Sequence, residues 1–364
     1  HRPHHAATRR TVVLIAGMTL VGLSMLATTA FAQSTPPTTN WRTILLPQVD
    51  LWYHGLATME FRGLGPYEMY EAGYSSRLRD AKTRVGVPPT ELDNGAPRFM
   101  TAFDRDSTFE VFHFVPLYFA SATVEPMLGA LEEVAGDERL PAVNDRLALF
   151  GANAVAATIT RPDQRSILAD WTQALRTEWD DFFAAYWRER AVQAAPTLRS
   201  VQAEWDAHFA PRLARYLQAY ALDNGILVLS DPVGPEGRIF EGRPTDRSDN
   251  IVVVGFDEDG PTRAPLYAAV REMCFPVVRE ALSAQPEMPD RVSNASRSSN
   301  AAARCGAHLL DRFAPDLAPE YRSTLLPGIS GSPADVRSAF ERKYVTSAEL
   351  DAALQDRLGA IPVP

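Results

Sequence analysis

The spacing of apolar residues changes once along this chain, and the change limits the folds open to it. Up to about residue 222, apolar positions recur every three or four residues, as in "VDLWYHGLATMEF", "STFEVFHFVPLYFA" and "TVEPMLGALEEVA". That spacing places them on one face of a helix. Three short runs follow, "GILVLSDP", "GRIFEG" and "NIVVVGF", separated by Gly, Pro, Asp and Asn. They have the pattern of strands joined by turns. After them the helical spacing resumes. About three short strands within residues 225–256 of a 364-residue chain make only a small sheet. The expected fold is therefore α+β and predominantly helical, with that sheet packed among helices.

The plainest helix spans 166–192, where Leu168, Trp171, Leu175, Trp179, Phe182, Phe183 and Tyr186 form a wide aromatic stripe. Such a stripe is either a packing face between helices or the lining of a groove. A second helix is expected over 197–221, closed by Asp223-Asn224-Gly225. A helix over 264–282 follows the strands, and "SAQPEMPDRVSNASRSSN" is expected to be a polar loop before the last helices. The organisation that results is a helical region at 41–222 and an α+β region at 223–364, with 41–364 also able to form one domain.

The first 40 residues belong to neither region. Arg9-Arg10, the apolar run "TVVLIAGMTLVGLSMLA" and Ala30-Phe31-Ala32 follow the order of a Sec-type signal peptide, 1–32, cut after Ala32. A retained membrane anchor is the alternative. Residues 33–40 read as a linker, and the mature chain is expected to be exported to the periplasm or outside the cell. No later segment is apolar enough to span a membrane. The net charge of −9 carries no basic run, which argues against a nucleic-acid partner. Export would allow the two cysteines, Cys274 and Cys305, to pair, closing a loop worth about 3 to 4 kcal/mol. Two buried free thiols are the alternative.

Chemistry is suggested most by residues 267–282, "YAAVREMCFPVVREAL". Leu266, Val270, Met273, Cys274, Val277 and Ala281 share a core-facing side, while Arg271, Phe275 and Arg279 share another. Pro276 has no N–H to give residue 272 and should open the helix locally. Strands feeding a helix of this form, over residues 199–325, resemble the gluzincin-like exported metallopeptidases. There the helix carries H-E-x-x-H and a later helix supplies a third zinc ligand. The resemblance makes Glu272 the counterpart of the catalytic Glu and assigns Arg271 and Phe275 to the two His positions. Neither can donate a lone pair to zinc, so the metal site is expected to be degenerate, with no cofactor.

Two arrangements are open to the charged pair. Arg271 forms an ion pair with Glu272 or with an acid such as Glu320, or both Arg271 and Glu272 face solvent. His54, His113, His208 and His308 are not paired at ligand spacing, although Glu204 with His208 and Cys305 with His308 leave a rearranged site open. Acid pairs such as Asp104 with Asp106 offer no fixed carboxylate separation. The expected function is non-catalytic binding of a peptide or an envelope protein along the cleft between strands and helix. The alternative is a metal-dependent hydrolase with unconventional ligands and Glu272 as base.

Overall fold

The computed structural model describes residues 38–59, 69–136, 145–242, 250–286, 288, 290–329 and 331–363. The expected signal peptide, residues 1–32, and its expected cleavage site lie outside them. From Pro36 onward the chain forms one compact unit. Its elements begin with β1 (Asn40–Ile44), α1 (Pro47–Thr58), α2 (Tyr74–Val85) and α3 (Glu91–Arg105). A 3-10 turn at Ser107–His113 leads to the short α4 (Val115–Tyr118), then α5 (Val124–Gly136) and α6 (Arg146–Thr158). The long segment is α7 (Pro162–Glu178), α8 (Ala184–Glu204) and α9 (Ala210–Ala219), followed by β2 (Asn224–Leu229), β3 (Arg238–Phe240) and β4 (Ile251–Val254). The chain closes with α10 (Ala264–Met273), α11 (Phe275–Ser283), α12 (Arg291–Phe313), α13 (Ala318–Thr324), α14 (Pro333–Lys343) and α15 (Ala348–Gly359).

The α+β reading holds, with four strands among the described residues rather than about three. They lie in the order β1-β2-β4-β3, parallel except for β3 at one edge. The added strand, β1, runs from Asn40, so the fold begins within a residue of the expected start. Alternation along the strands divides the interior. Leu227, Leu229, Val252 and Val254 enter one core with the carboxy-terminal helices, while Val228, Ile251 and Val253 enter another with the amino-terminal helices. The sheet is thus a partition with a helical layer on each face, as period-two side chains require when both faces are covered.

In the amino-terminal layer, the ring of Trp171 meets Trp52, Phe99 and Phe103 edge-on at centroid distances of 5.9, 5.2 and 5.5 Å. Of the aromatic stripe, Leu168, Trp171, Leu175, Phe182 and Phe183 are buried, so it is a packing face. The helix does not stop at Val192. It continues from α7 to α9 through π-helical turns at Trp179–Phe183 and Trp205–Phe209, with Pro196 inside α8. The second π turn ends two residues before Pro211, in the turn whose bonding a proline disrupts.

A polar knot ties this layer together. Glu178, at the end of α7, accepts from His54 Nε2 at 3.0 Å, Lys82 Nζ at 3.0 Å and Thr90 Oγ1 at 2.5 Å. Lys82 also reaches Asp93 at 2.6 Å, and His54 Nδ1 lies 3.0 Å from the Tyr74 hydroxyl. Burial alone would raise the Glu178 carboxyl, but the bonds from His54, the charge of Lys82 and the Thr90 hydroxyl outweigh it and bring it down to about 2.

Across the sheet, the helix expected over 264–282 is broken where Pro276 requires, between α10 and α11. The Tyr216 hydroxyl donates to the Met273 carbonyl at 2.6 Å, satisfying an acceptor at the break. The loop expected through residue 300 is a correction. Asp290 caps a helix at Arg291, its side chain accepting from Ser293 N at 2.8 Å. Polar composition concealed a helix whose inner face is small, including Ser299, Ala301, Ala302 and Ala303. Cys274 and Cys305 are both buried and free, not bonded. Burial raises the Cys305 thiol well above its ordinary value, as does its contact with the Cys274 thiol. The pair is two adjacent thiols in a close-packed helix interface, away from disulfide geometry.

Candidate functional site

The buried charges of α10 are the site's centre. β4 leads into α10, Pro265 occupies its first turn, and the helix presents Arg271 and Glu272 inward with 3% and 1% exposure. Neither faces solvent, which removes one of the two arrangements open from the sequence.

Arg271 finds its main partners outside its own helix. Its Nη2 donates to Glu236 Oε1 at 2.7 Å and to the Ser299 hydroxyl, which itself donates to Glu236 Oε1 at 2.6 Å. Glu236 lies just before β3, and Ser299 comes from α12. Arg271, Ser299 and Glu236 therefore form a closed triangle assembled from three separate stretches of chain. Arg271 Nη1 stands 3.8 Å from Glu272 Oε1, and Arg238 Nη1 stands 3.8 Å from Glu236 Oε2. The Arg271–Glu272 pairing is present as the longer of Arg271's two ion pairs among the described residues. Glu320 is not a partner and is corrected: it accepts from Arg263 Nη1, at the N-cap of α10, at 3.1 Å and from the Tyr267 hydroxyl, one turn before Arg271, at 2.8 Å.

The two carboxylates differ. Burial would raise Glu236, but the charges of Arg271 and Arg238 and the Ser299 bond hold it below its ordinary range. Burial raises Glu272 to about 7 against the pull of Arg271 and Arg238. Glu272 does take a bond from the Gly237 backbone N–H, yet its Oε1 has no hydrogen-bond partner among the described residues. The approach of Gly237 is close. A Cβ there would lie 2.4 Å from the Val253 carbonyl oxygen and 3.0 Å from Glu272 Cγ, so the absence of a side chain lets the strand start reach the carboxylate. Arg271 stays cationic, since burial's opposition is outweighed by Glu272 and Glu236.

The remaining residues singled out from the sequence lie elsewhere. Phe275 packs partly buried against the carboxy-terminal core. His54 is in the Glu178 knot, and His113 Nδ1 meets the Tyr70 hydroxyl at 2.8 Å. His208 lies 3.9 Å from Glu204, whose carboxylate is engaged by Arg263 at 2.8 Å, and His308 Nε2 meets Asp351 at 3.0 Å. No three His, Cys, Asp or Glu side chains come together as a metal-holding group among the described residues. Asp106 caps the 3-10 turn through Thr108 N at 3.0 Å and accepts from Arg161 at 2.6 Å, a structural role.

Sequence reasoning missed Glu236, Ser299 and Arg238. Glu236 sits in a Pro- and Gly-flanked turn and Ser299 in a Ser-rich run, so no local pattern marked either. The signal available was the Arg on α10 itself: were it buried, it would require a buried acid somewhere. The chain matches no family model, no curated protein and no solved structure in the comparisons made.

Proposed function

We propose that this chain is a non-catalytic binding protein of zincin-like layout, in which its own guanidinium occupies the position where a peptidase would hold its ion. The observation that carries this reading is the placement of Arg271, bonded at 2.7 Å to Glu236 and standing 3.8 Å from Glu272, with 3% exposure. A fixed cation between two carboxylates leaves an incoming dication both repelled and short of ligands. The resemblance implies an acidic zinc ligand from a later helix; α12 contributes Ser299 to this cluster instead, and Glu320 of α13 is engaged by Arg263 and Tyr267.

The bound partner is an extended peptide or protein segment lying along β3. This is the antiparallel edge strand, and its pairing favours such an addition. Ile226 N and Ser230 N bond to the carbonyls of Asn250 and Val254, so Ile251 and Val253 turn towards Phe240 and Arg238 of β3. By the alternation of an antiparallel ladder, Ile239 turns its N–H and carbonyl outward. No helix of the described residues is long and apolar enough to cross a membrane, so nothing in them competes with this reading as an anchor.

The test is to pan the chain lacking residues 1–32 against a library of extended peptides and map retained peptides by hydrogen exchange. Protection centred on 237–242 supports the reading; peptides that protect only other segments, or none retained, overturn it. Elemental analysis accompanies it. One metal per chain with peptide hydrolysis lost in Glu272→Gln would establish the second reading, a hydrolase with Glu272 as base. That reading is favoured by one observation, the carboxyl near 7 with an unpartnered oxygen.

A further inference from the structure

A different part of the molecule carries a second site. Between α12, α13, α14 and α15 lies an open groove of about 720 Å³, within the range of roughly 300–1,000 Å³ typical of small-molecule sites. Four arginines converge on it, Arg304, Arg312, Arg322 and Arg337, together with His308. Against them stand three carboxylates, Asp311, Glu341 and Asp351, so the lining keeps an excess of one positive charge before His308 is counted. This occurs in a chain whose net charge is −9.

Two aspartates hold the cations in place. Asp351 accepts from Arg304 Nε and His308 Nε2, each at 3.0 Å. Asp311 accepts from Arg322 Nη2 and stands 3.7 Å from Arg337 Nη2. Asp351 thereby gathers Arg304 and His308, Asp311 gathers Arg322 and Arg337, and Arg304 Nη1 also stands 3.6 Å from Glu341 Oε1, yet most of the guanidinium donor capacity is unspent. Four guanidiniums offer roughly twenty N–H groups, and among the described residues their hydrogen bonds number four: one each from Arg304 and Arg322, and two from Arg312 to the carbonyls of Gly359 and Ile361. Arg337 donates no hydrogen bond among the described residues and is 56% exposed along its side chain. Arg312 Nε is buried without a partner. Phe340 and Leu358 supply an apolar floor.

We infer that this groove binds a small molecule bearing two or more anionic groups, carboxylates or phosphates, one engaged by Arg337 and Arg322 and another by Arg304. Planar guanidinium forks suit both head groups, and the pre-set pairs lower the ordering cost of binding. The inference is independent of the β3 reading, because the residues involved lie on separate elements.

The test is calorimetric titration of the chain lacking residues 1–32 with citrate and, separately, with inorganic pyrophosphate, at low and high salt. Saturable one-to-one binding that weakens with salt and falls by about tenfold or more in Arg337→Glu is the expected result. The control is Arg98→Glu, which makes the same charge change at an exposed pair with Asp170 in the other layer and is expected to leave binding unchanged. Citrate alone binding identifies a polycarboxylate; pyrophosphate alone identifies a ligand bearing adjacent phosphate groups. No saturable binding by either probe, or equal loss in Arg337→Glu and Arg98→Glu, overturns the inference. Arg337 is exposed, so its variant should fold, and an unchanged melt confirms that it has.

Discussion

Glu178 in the amino-terminal layer and Glu272 across the sheet are both carboxylates with 1% exposure or less, and their acidities move in opposite directions. Glu178 is surrounded by donors from three other helical segments and titrates near 2, whereas Glu272 has a cation 3.8 Å away and one backbone N–H, and titrates near 7. Burial is common to both, so it cannot be the cause of the difference. The number and closeness of donors decides the sign. Arg271 spends its short bonds on Glu236 and leaves Glu272 as the under-served member of the cluster.

The largest effect should come from removing the shared cation. Arg271→Ala leaves Glu236 and Glu272 buried without it and should lower unfolding stability by about 3–5 kcal/mol in urea at pH 7. Part of the loss should return at pH 5 as the carboxyls protonate. A variant as stable as the parent at pH 7 would show that the triangle does not organise this layer. Next is Glu178→Gln, which strips Lys82 of its buried partner and should cost on the order of 3 kcal/mol at neutral pH. The parent's own pH dependence reports the same carboxyl. The Glu178 value is depressed in the folded state, so its contribution is present above the ordinary 4.5 and is lost as pH falls from there to about 2.

Glu272 reverses that slope. Its folded value is raised, so folding favours the protonated form; its contribution is full below 4.5 and is lost as pH rises through about 7. Glu272→Gln should therefore raise stability at pH 8 by about 1–3 kcal/mol and flatten the profile between pH 4.5 and 7. Chemical denaturation across that interval checks it, and a destabilised variant at pH 8 would mean the carboxylate is better served than its geometry indicates. The smallest effect concerns the thiols. Cys274 and Cys305 should resist a thiol reagent in the native state and react as a pair on unfolding, with Cys305→Ala costing about 1 kcal/mol.

These contrasts mark what a sequence can and cannot disclose. Three strands were legible because β-branched runs between Gly, Pro and Asn have few other uses, and the break before Pro276 followed from a missing N–H. β1 was hidden: "NWRTI" carries a mixed pattern and gains its strand character by pairing with β2. The first turns of α12 were hidden by serines, which favour turns locally but here sit on a helix whose inner face must be small. At the site, Arg271 and Glu272 were visible as a pair on one helix, yet their burial and their partners were not. Glu236 and Ser299 reach Arg271 from 35 and 28 residues away, and such meetings are decided by tertiary packing that no local spacing encodes.

The parallel pairing of β1 with β2 has a consequence for how the chain reaches this structure. Asn40 aligns with Asn224, so every helix from α1 to α9 lies inside the loop that this one pairing closes. Among the described residues β1 touches Gln202 of α8 and Trp205 just beyond it, but it has no strand partner until the chain is complete through Val228, and closing so long a loop slows the search for native pairing. Trp41 is 4% exposed, and its indole N–H donates to the Leu222 carbonyl at 2.7 Å across that closure. In a variant that keeps Trp41 as its sole tryptophan of the six, the change in its fluorescence is expected to report the moment the two ends of the helical layer are joined.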